Sequence, residues 1–236
     1  MPRVFENLRR VTRRLGEACL RAGRRKEDLT LVAVSKYATA GQVAELLAAA
    51  DSVPFPVHIG ESRVQDAVAR KAEVLARVGP EPLGRTTWRM VGHLQRNKVS
   101  KALEVFDAVD SLDRSELAAA LDRVSRERGR KTPVLVQVNI AGRPGQHGTP
   151  PEEVGRFLDE VRRLDGLKVS GLMAIAPDLE PVEGVRPYFA RLRRIFEEHF
   201  GPGEGAALSM GMSRDFEIAV EEGAHMVRVG SLLFDG

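Results

Sequence analysis

A chain of 236 residues, 43% apolar and 29% charged, has an ordinary globular balance and can bury a full core without disulfide or metal staples. Its 36 basic and 33 acidic residues leave a net charge of +3 with only 5% aromatics, which excludes the concentrated basic and aromatic face of a dedicated nucleic-acid binder. The single cysteine, Cys19, excludes a disulfide framework; no apolar run approaches the roughly 18 residues of a membrane span, and no signal-peptide core opens the chain. A cytoplasmic protein that engages neither membrane nor nucleic acid is the expectation.

The first element is a helix. Val4, Leu8, Val11, Leu15, Ala18 and Ala22 recur at steps of three and four, which draws one apolar stripe. An Arg-rich presequence is the rival, but Glu6 and Glu17 favour a folded helix. Short β-rich runs then alternate with longer amphipathic ones. The spacing predicts strands at Leu31–Ser35, Val57–Gly60, Trp88–Gly92, Ala108–Asp110, Val134–Asn139, Val169–Met173, Ala207–Ser209 and Met226–Gly230. It predicts helices at Ala40–Ala50, Val64–Val78, Asn97–Phe106, Ser115–Arg128, Pro151–Leu164, Val185–Phe200 and Ser213–Glu222. Strands that return through helices are parallel, and eight of them close a (β/α)8 barrel of the TIM type. An open doubly wound sheet is the rival. One α/β domain over residues 1–236 is expected, with the N-terminal helix filling the place of the crossover helix that would follow strand eight.

In such a barrel the chemistry gathers at the carboxyl ends of the strands. Lys36 follows strand one, where a desolvated amine would be a nucleophile toward aldehydes; the plainer reading is a lysine that ends a strand and reaches water. After strand seven comes Ser209-Met210-Gly211-Met212-Ser213, with Ser213 as a helix N-cap and Asp215 in the first turn. With Gly230-Ser231 after strand eight, this offers amides for a phosphate, although an ordinary cap and turn would read the same. Arg228 lies within strand eight, facing either the barrel interior with a partner or the surface.

Other signals are weaker. The histidines at 58, 93, 147, 199 and 225 form no metal-ligand spacing, so no metal site is expected. Nucleophile-elbow and P-loop motifs are absent from the sequence. Gly142, Gly145 and Gly148 suggest a mobile loop after strand five, and Cys19 reads as a small core residue.

Six runs taken together carry a resemblance. They are Ala33-Val34-Ser35-Lys36, Gly60-Glu61-Ser62-Arg63-Val64-Gln65, Trp88 through Lys98, Gly171-Leu172-Met173-Ala174, Leu208 through Ser213, and Val227-Arg228-Val229-Gly230. In this order they resemble the pyridoxal phosphate homeostasis proteins, single-domain relatives of the alanine racemase barrel, over nearly the whole chain. The resemblance implies that Lys36 holds pyridoxal 5′-phosphate as a Schiff base. It also implies that Ser213, Gly230 and Ser231 bind the phosphate, with Ser209 close by, that Met210 contacts the ring, and that Arg228 faces the pyridine nitrogen. Ser62 stands where the family commonly has Asn, and Arg89 where it often has His; both affect fine positioning only.

The resemblance further implies a protein of vitamin B6 homeostasis that buffers the cofactor or delivers it to apo-enzymes. The alternative is a weak amino-acid racemase. Alanine racemases use a tyrosine base from a second domain, for which 236 residues leave no room. Of the two tyrosines, Tyr37 would point away from Lys36 in a regular strand, and Tyr188 begins a helix. A barrel that binds a phosphorylated metabolite without a Schiff base is a third reading. A monomer is the simpler expectation.

Overall fold

Short β-branched runs separated by amphipathic stretches can bury both kinds of apolar surface at once only if the strands roll up inside a coat of helices. The computed structural model describes residues 3–84 and 86–235, and it has this arrangement. Among the described residues, eight parallel strands close into a barrel in chain order. They are β1 (Thr30–Val34), β2 (Val57–Glu61), β3 (Trp88–Met90), β4 (Ala108–Leu112), β5 (Thr132–Val138), β6 (Leu167–Ala174), β7 (Ala207–Ser209) and β8 (Met226–Val229). Closure is direct: Leu31 of β1 registers with Val57 of β2 on one side and with Val227 of β8 on the other.

The coat consists of α1 (Arg3–Arg21), α2 (Ala40–Ala49), α3 (Val64–Val78), the short α4 (Pro80–Gly84), α5 (Val99–Val105), α6 (Ser115–Glu127), α7 (Val154–Arg162), α8 (Arg186–His199), α9 (Phe216–Glu221) and α10 (Ser231–Phe234). The α1 stripe is buried from Val4 to Cys19, whereas Ala22 lies at its frayed edge, partly exposed. α1 packs against α9, α2 and α10, so it does stand where the last crossover helix would lie. Glu45 of α2 accepts from the Val4 and Phe5 amides at the start of α1, and Arg14 grips Glu217 of α9 with two bonds of 2.8 Å. The expectation that no helix follows strand eight is corrected by the single turn of α10. It is too short to show a periodicity, and Asn7 of α1 holds it through the Leu233 carbonyl at 3.0 Å.

Other differences are at element ends. β5 and β6 begin two residues early because Thr132-Pro133 and Leu167-Lys168, which read as loop, pair with each other across the sheet. The helix expected from Ser213 begins at Phe216, with Asp215 in the cap position and Asp215 Oδ1 accepting from the Met212 amide at 2.5 Å.

Side chains of the barrel strands alternate between the helical coat and the interior. The interior is not wholly apolar. Arg89 of β3 donates from Nε and Nη2 to Asp110 of β4 at 2.8 and 2.7 Å, both side chains being buried. Below them His58 has a buried Nδ1 without a hydrogen-bond partner. Burial, and then the positive charge of Arg89, push its pKa down from 6.5 to about 4, against smaller opposing effects of Asp110 and Asp107.

The sign of the consequence is definite. Between pH 6.5 and 4 the unfolded chain takes up a proton on this imidazole and the folded one does not, so stability falls as the pH drops through that window. The full effect is up to about 3 kcal/mol. Denaturant titrations at pH 7 and pH 4.5 should therefore show a smaller acid loss for His58→Gln than for the wild type. Equal losses would contradict the assignment.

Candidate functional site

The carboxyl ends of the strands surround a cleft of about 500 Å³ whose wall includes Val34, Lys36, Tyr37, Ser62, Val91 and Arg228. Ser213, Gly230 and Ser231 line it too, together with Ile175 through Leu179 after β6. Six of the expected residues thus converge: Lys36, Ser62, Ser213, Arg228, Gly230 and Ser231.

Lys36 is placed by a tight turn. β1 ends at Val34, the Ala38 amide donates to the Ser35 carbonyl at 2.9 Å, and Thr39 then opens α2 with a reciprocal capping box to Gln42. Two residues that sequence reasoning passed over brace this turn. Glu61, fully buried, accepts from Ser35 Oγ at 2.7 Å and from Arg70 Nε at 2.6 Å, while Arg70 also donates to the Ala38 carbonyl. The signal available was Glu61 inside the Gly60-Glu61-Ser62 run, but its partner on α3 lies nine residues away.

The expectation of a desolvated lysine is corrected: the Lys36 side chain is exposed, its Nζ lying 4.7 Å from the centre of the Tyr37 ring. Nor does Tyr37 point away, since the turn ends the alternation on which that reading rested; the ring is 80% exposed and lines the cleft beside Lys36.

At the other end, Arg228 faces inward, which resolves the question its position in β8 left open. It donates to Ser209 Oγ and to the Ala174 carbonyl, each at 2.7 Å. Burial lowers its pKa to about 10, against the attraction of Asp110 and Asp215, so it remains a cation at neutral pH. Ser209 itself is fully buried and off the cleft wall, acting through Arg228. Met210 is likewise fully buried among the coat residues, and Met212, two positions on, lines the cleft instead. The strand alternation sends 210 outward, and the turn at Gly211 brings 212 back.

Ser213 is not an N-cap. Its Oγ accepts from the Gly230 amide at 3.4 Å, joining the loops after β7 and β8. A Cβ on Gly230 would lie 2.9 Å from the Val34 carbonyl, so this position admits only a glycine where the two loops and β1 meet.

The loop after β5, expected to be mobile, is bonded back onto its strand. Asn139 Nδ2 donates to the Arg143 and Gln146 carbonyls, Gln137 Nε2 donates to that of His147 at 3.0 Å, and Asn139 and Thr149 exchange backbone bonds with the strand. Gly148 permits the return, with φ of +129° and no room for a Cβ 2.5 Å from the Asn139 nitrogen. This loop carries His147 to His93, so two histidines without ligand spacing in the sequence become neighbours.

A parallel eight-stranded barrel with a lysine after its first strand and a polar cradle after its seventh and eighth has the architecture of the alanine racemase barrels, and residues 6–236 match the family described as "Alanine racemase, N-terminal domain". Within that class the chain is 37% identical to the pyridoxal phosphate homeostasis protein of Aquifex aeolicus, covering 97% of this chain and 96% of that one. It is 35% identical to the protein of the same name from Pseudomonas aeruginosa, covering 99% and 96%. The solved structure of PipY from Synechococcus elongatus, described with PLP bound, superposes with a TM-score of 0.77 at 36% identity over 95% of this chain and 99% of that one. The chain belongs to the pyridoxal phosphate homeostasis protein family.

No helix among the described residues is long and apolar enough to cross a membrane.

Proposed function

We propose that this chain binds pyridoxal 5′-phosphate and holds it in reserve for vitamin B6-dependent apo-enzymes, as a single-domain cytoplasmic monomer. The observation that carries this reading is the convergence, on one cleft, of a primary amine, a hydroxyl-and-glycine cradle and a buried cation. These donors fit the cofactor group by group. The exposed Lys36 amine suits an aldehyde, which it would hold as a Schiff base. Ser213, Gly230 and Ser231 suit a phosphate, and Ser62 borders the ring. Arg228, kept in place by Ser209 and Ala174, would face the pyridine nitrogen and oppose its protonation. When bound, pyridoxal phosphate supplies an electron-withdrawing ring, and an unprotonated ring withdraws less. The names of the relatives and the PLP-bound PipY support the same ligand.

Borohydride reduction of the cofactor-loaded protein, followed by peptide mapping, tests the reading. Pyridoxylated Lys36 is the expected result, and an unmodified Lys36 would sink it. Transfer to an apo-enzyme faster than spontaneous release would establish delivery, and transfer at the rate of release would limit the role to buffering. Ser213→Ala should weaken cofactor binding about tenfold, the worth of one charge-assisted hydrogen bond, while leaving the visible absorbance intact. Unchanged affinity by titration would remove Ser213 from the phosphate site.

The placement of Tyr37 favours examining one further reading, amino-acid racemisation. The Tyr37 ring lies beside Lys36 rather than across the cleft from it, whereas a two-base exchange needs groups on opposite faces. Catalytic loss of α-deuterium from amino acids would establish that activity.

A further inference from the structure

We propose that His93, Asp113 and His147 form a binding site for a divalent cation of the zinc class. The site is built from the loops after β3, β4 and β5, whereas the proposed phosphate loops follow β7 and β8. It does not depend on the cofactor reading.

Three donor groups of different residues converge there. His147 Nδ1 lies 3.7 Å and His93 Nδ1 3.9 Å from the same oxygen, Asp113 Oδ2. The two rings stack at 3.7 Å, and one ligand atom from each residue falls within 4.8 Å of the others. These separations exceed the roughly 2.7–3.2 Å of a hydrogen bond. They are slightly longer than the edge of a tetrahedron around zinc, about 3.3 Å for metal–nitrogen bonds of about 2.0 Å. A small rotation of two exposed histidines would close the difference.

The surroundings hold the donors in position. The Asp113 side chain is only 6% exposed, and its other oxygen, Oδ1, accepts from Arg114 Nη1 at 2.5 Å. Arg114 Nη2 in turn donates to the Leu94 carbonyl at 2.7 Å, so the carboxylate is oriented with Oδ2 toward the imidazoles. His147 is carried by the loop that Gln137 and Asn139 pin to β5. Burial, then the neighbouring His147 and Arg114, lower the His93 pKa, which favours the neutral ring that ligates a metal.

Donor chemistry selects the ion. Two imidazoles and one carboxylate suit zinc, nickel, cobalt or copper; calcium and magnesium prefer all-oxygen sites. Three protein donors leave a tetrahedral ion one position facing solvent, because both histidines are exposed.

Zinc titrated into the untagged, full-length protein and followed by calorimetry should bind at one ion per chain with a Kd on the order of micromolar. His93→Gln and His147→Gln should each weaken it by at least about tenfold, and the double variant should abolish the transition. Melting in EDTA checks that each variant is folded, which the exposure of both rings favours. Excess nickel should compete and excess calcium should not. Binding unchanged in the double variant, no binding by the wild type below about millimolar zinc, or displacement by calcium would each overturn the proposal.

Discussion

Replacing Lys36 by alanine is expected to abolish the visible absorbance of the cofactor-loaded protein and to weaken pyridoxal phosphate binding about a hundredfold or more. The reason is the geometry of the cleft. Among the described residues Lys36 is the one lysine on its wall, so no other primary amine is in position to take over the aldehyde. The phosphate cradle and Arg228 lie on other strands and would survive the substitution, leaving a weaker, non-covalent complex. The side chain is exposed, so melting should change little and lost binding would not reflect lost folding. Lys36→Arg separates charge from covalency, because a guanidinium keeps the positive charge yet forms no stable imine. Retained absorbance in either variant, read by titration and by borohydride mapping, would move the covalent site elsewhere.

Asp110→Asn is expected to cost the fold about 3–5 kcal/mol, by leaving the Arg89 guanidinium in the barrel without its carboxylate. Both bonds of that pair run between buried atoms, and water cannot replace the lost charge. For a domain of this size the loss corresponds to a melting temperature lower by about 10 °C. Asp110 also supports the charge of Arg228, so the variant should bind cofactor more weakly as well as melt earlier. The double variant Arg89→Met, Asp110→Leu removes both charges and should recover most of the stability, since a buried pair contributes little beyond its own desolvation. A single variant within about 1 kcal/mol of the wild type by denaturant titration would show that the pair is solvated.

Legibility differed between the fold and the site. All eight strands could be placed from apolar runs alone, because alternation and helical stripes are local properties of a few successive residues. What escaped were pieces shorter than their own period: the single turn of α10 and the strand starts at Thr132 and Leu167. In the site, Lys36, Ser62, Ser213, Arg228, Gly230 and Ser231 could be named through the motif runs. Met210 was misassigned because the turn at Gly211 resets the alternation that places 212 rather than 210 on the cleft wall. Tyr37 was misjudged for the same reason, β1 having ended three residues before it.

The sequence by itself determined the order of strands and helices, the parallel barrel and the residues offered at its carboxyl end, since each rests on neighbours along the chain. Only the tertiary structure decided that Arg228 points inward to Ser209, that Glu61 and Arg70 brace the lysine turn, and that His93, Asp113 and His147 meet. Those contacts join loops and elements from different parts of the chain. Their distances follow from the register and closure of the barrel, which no local pattern of residues encodes.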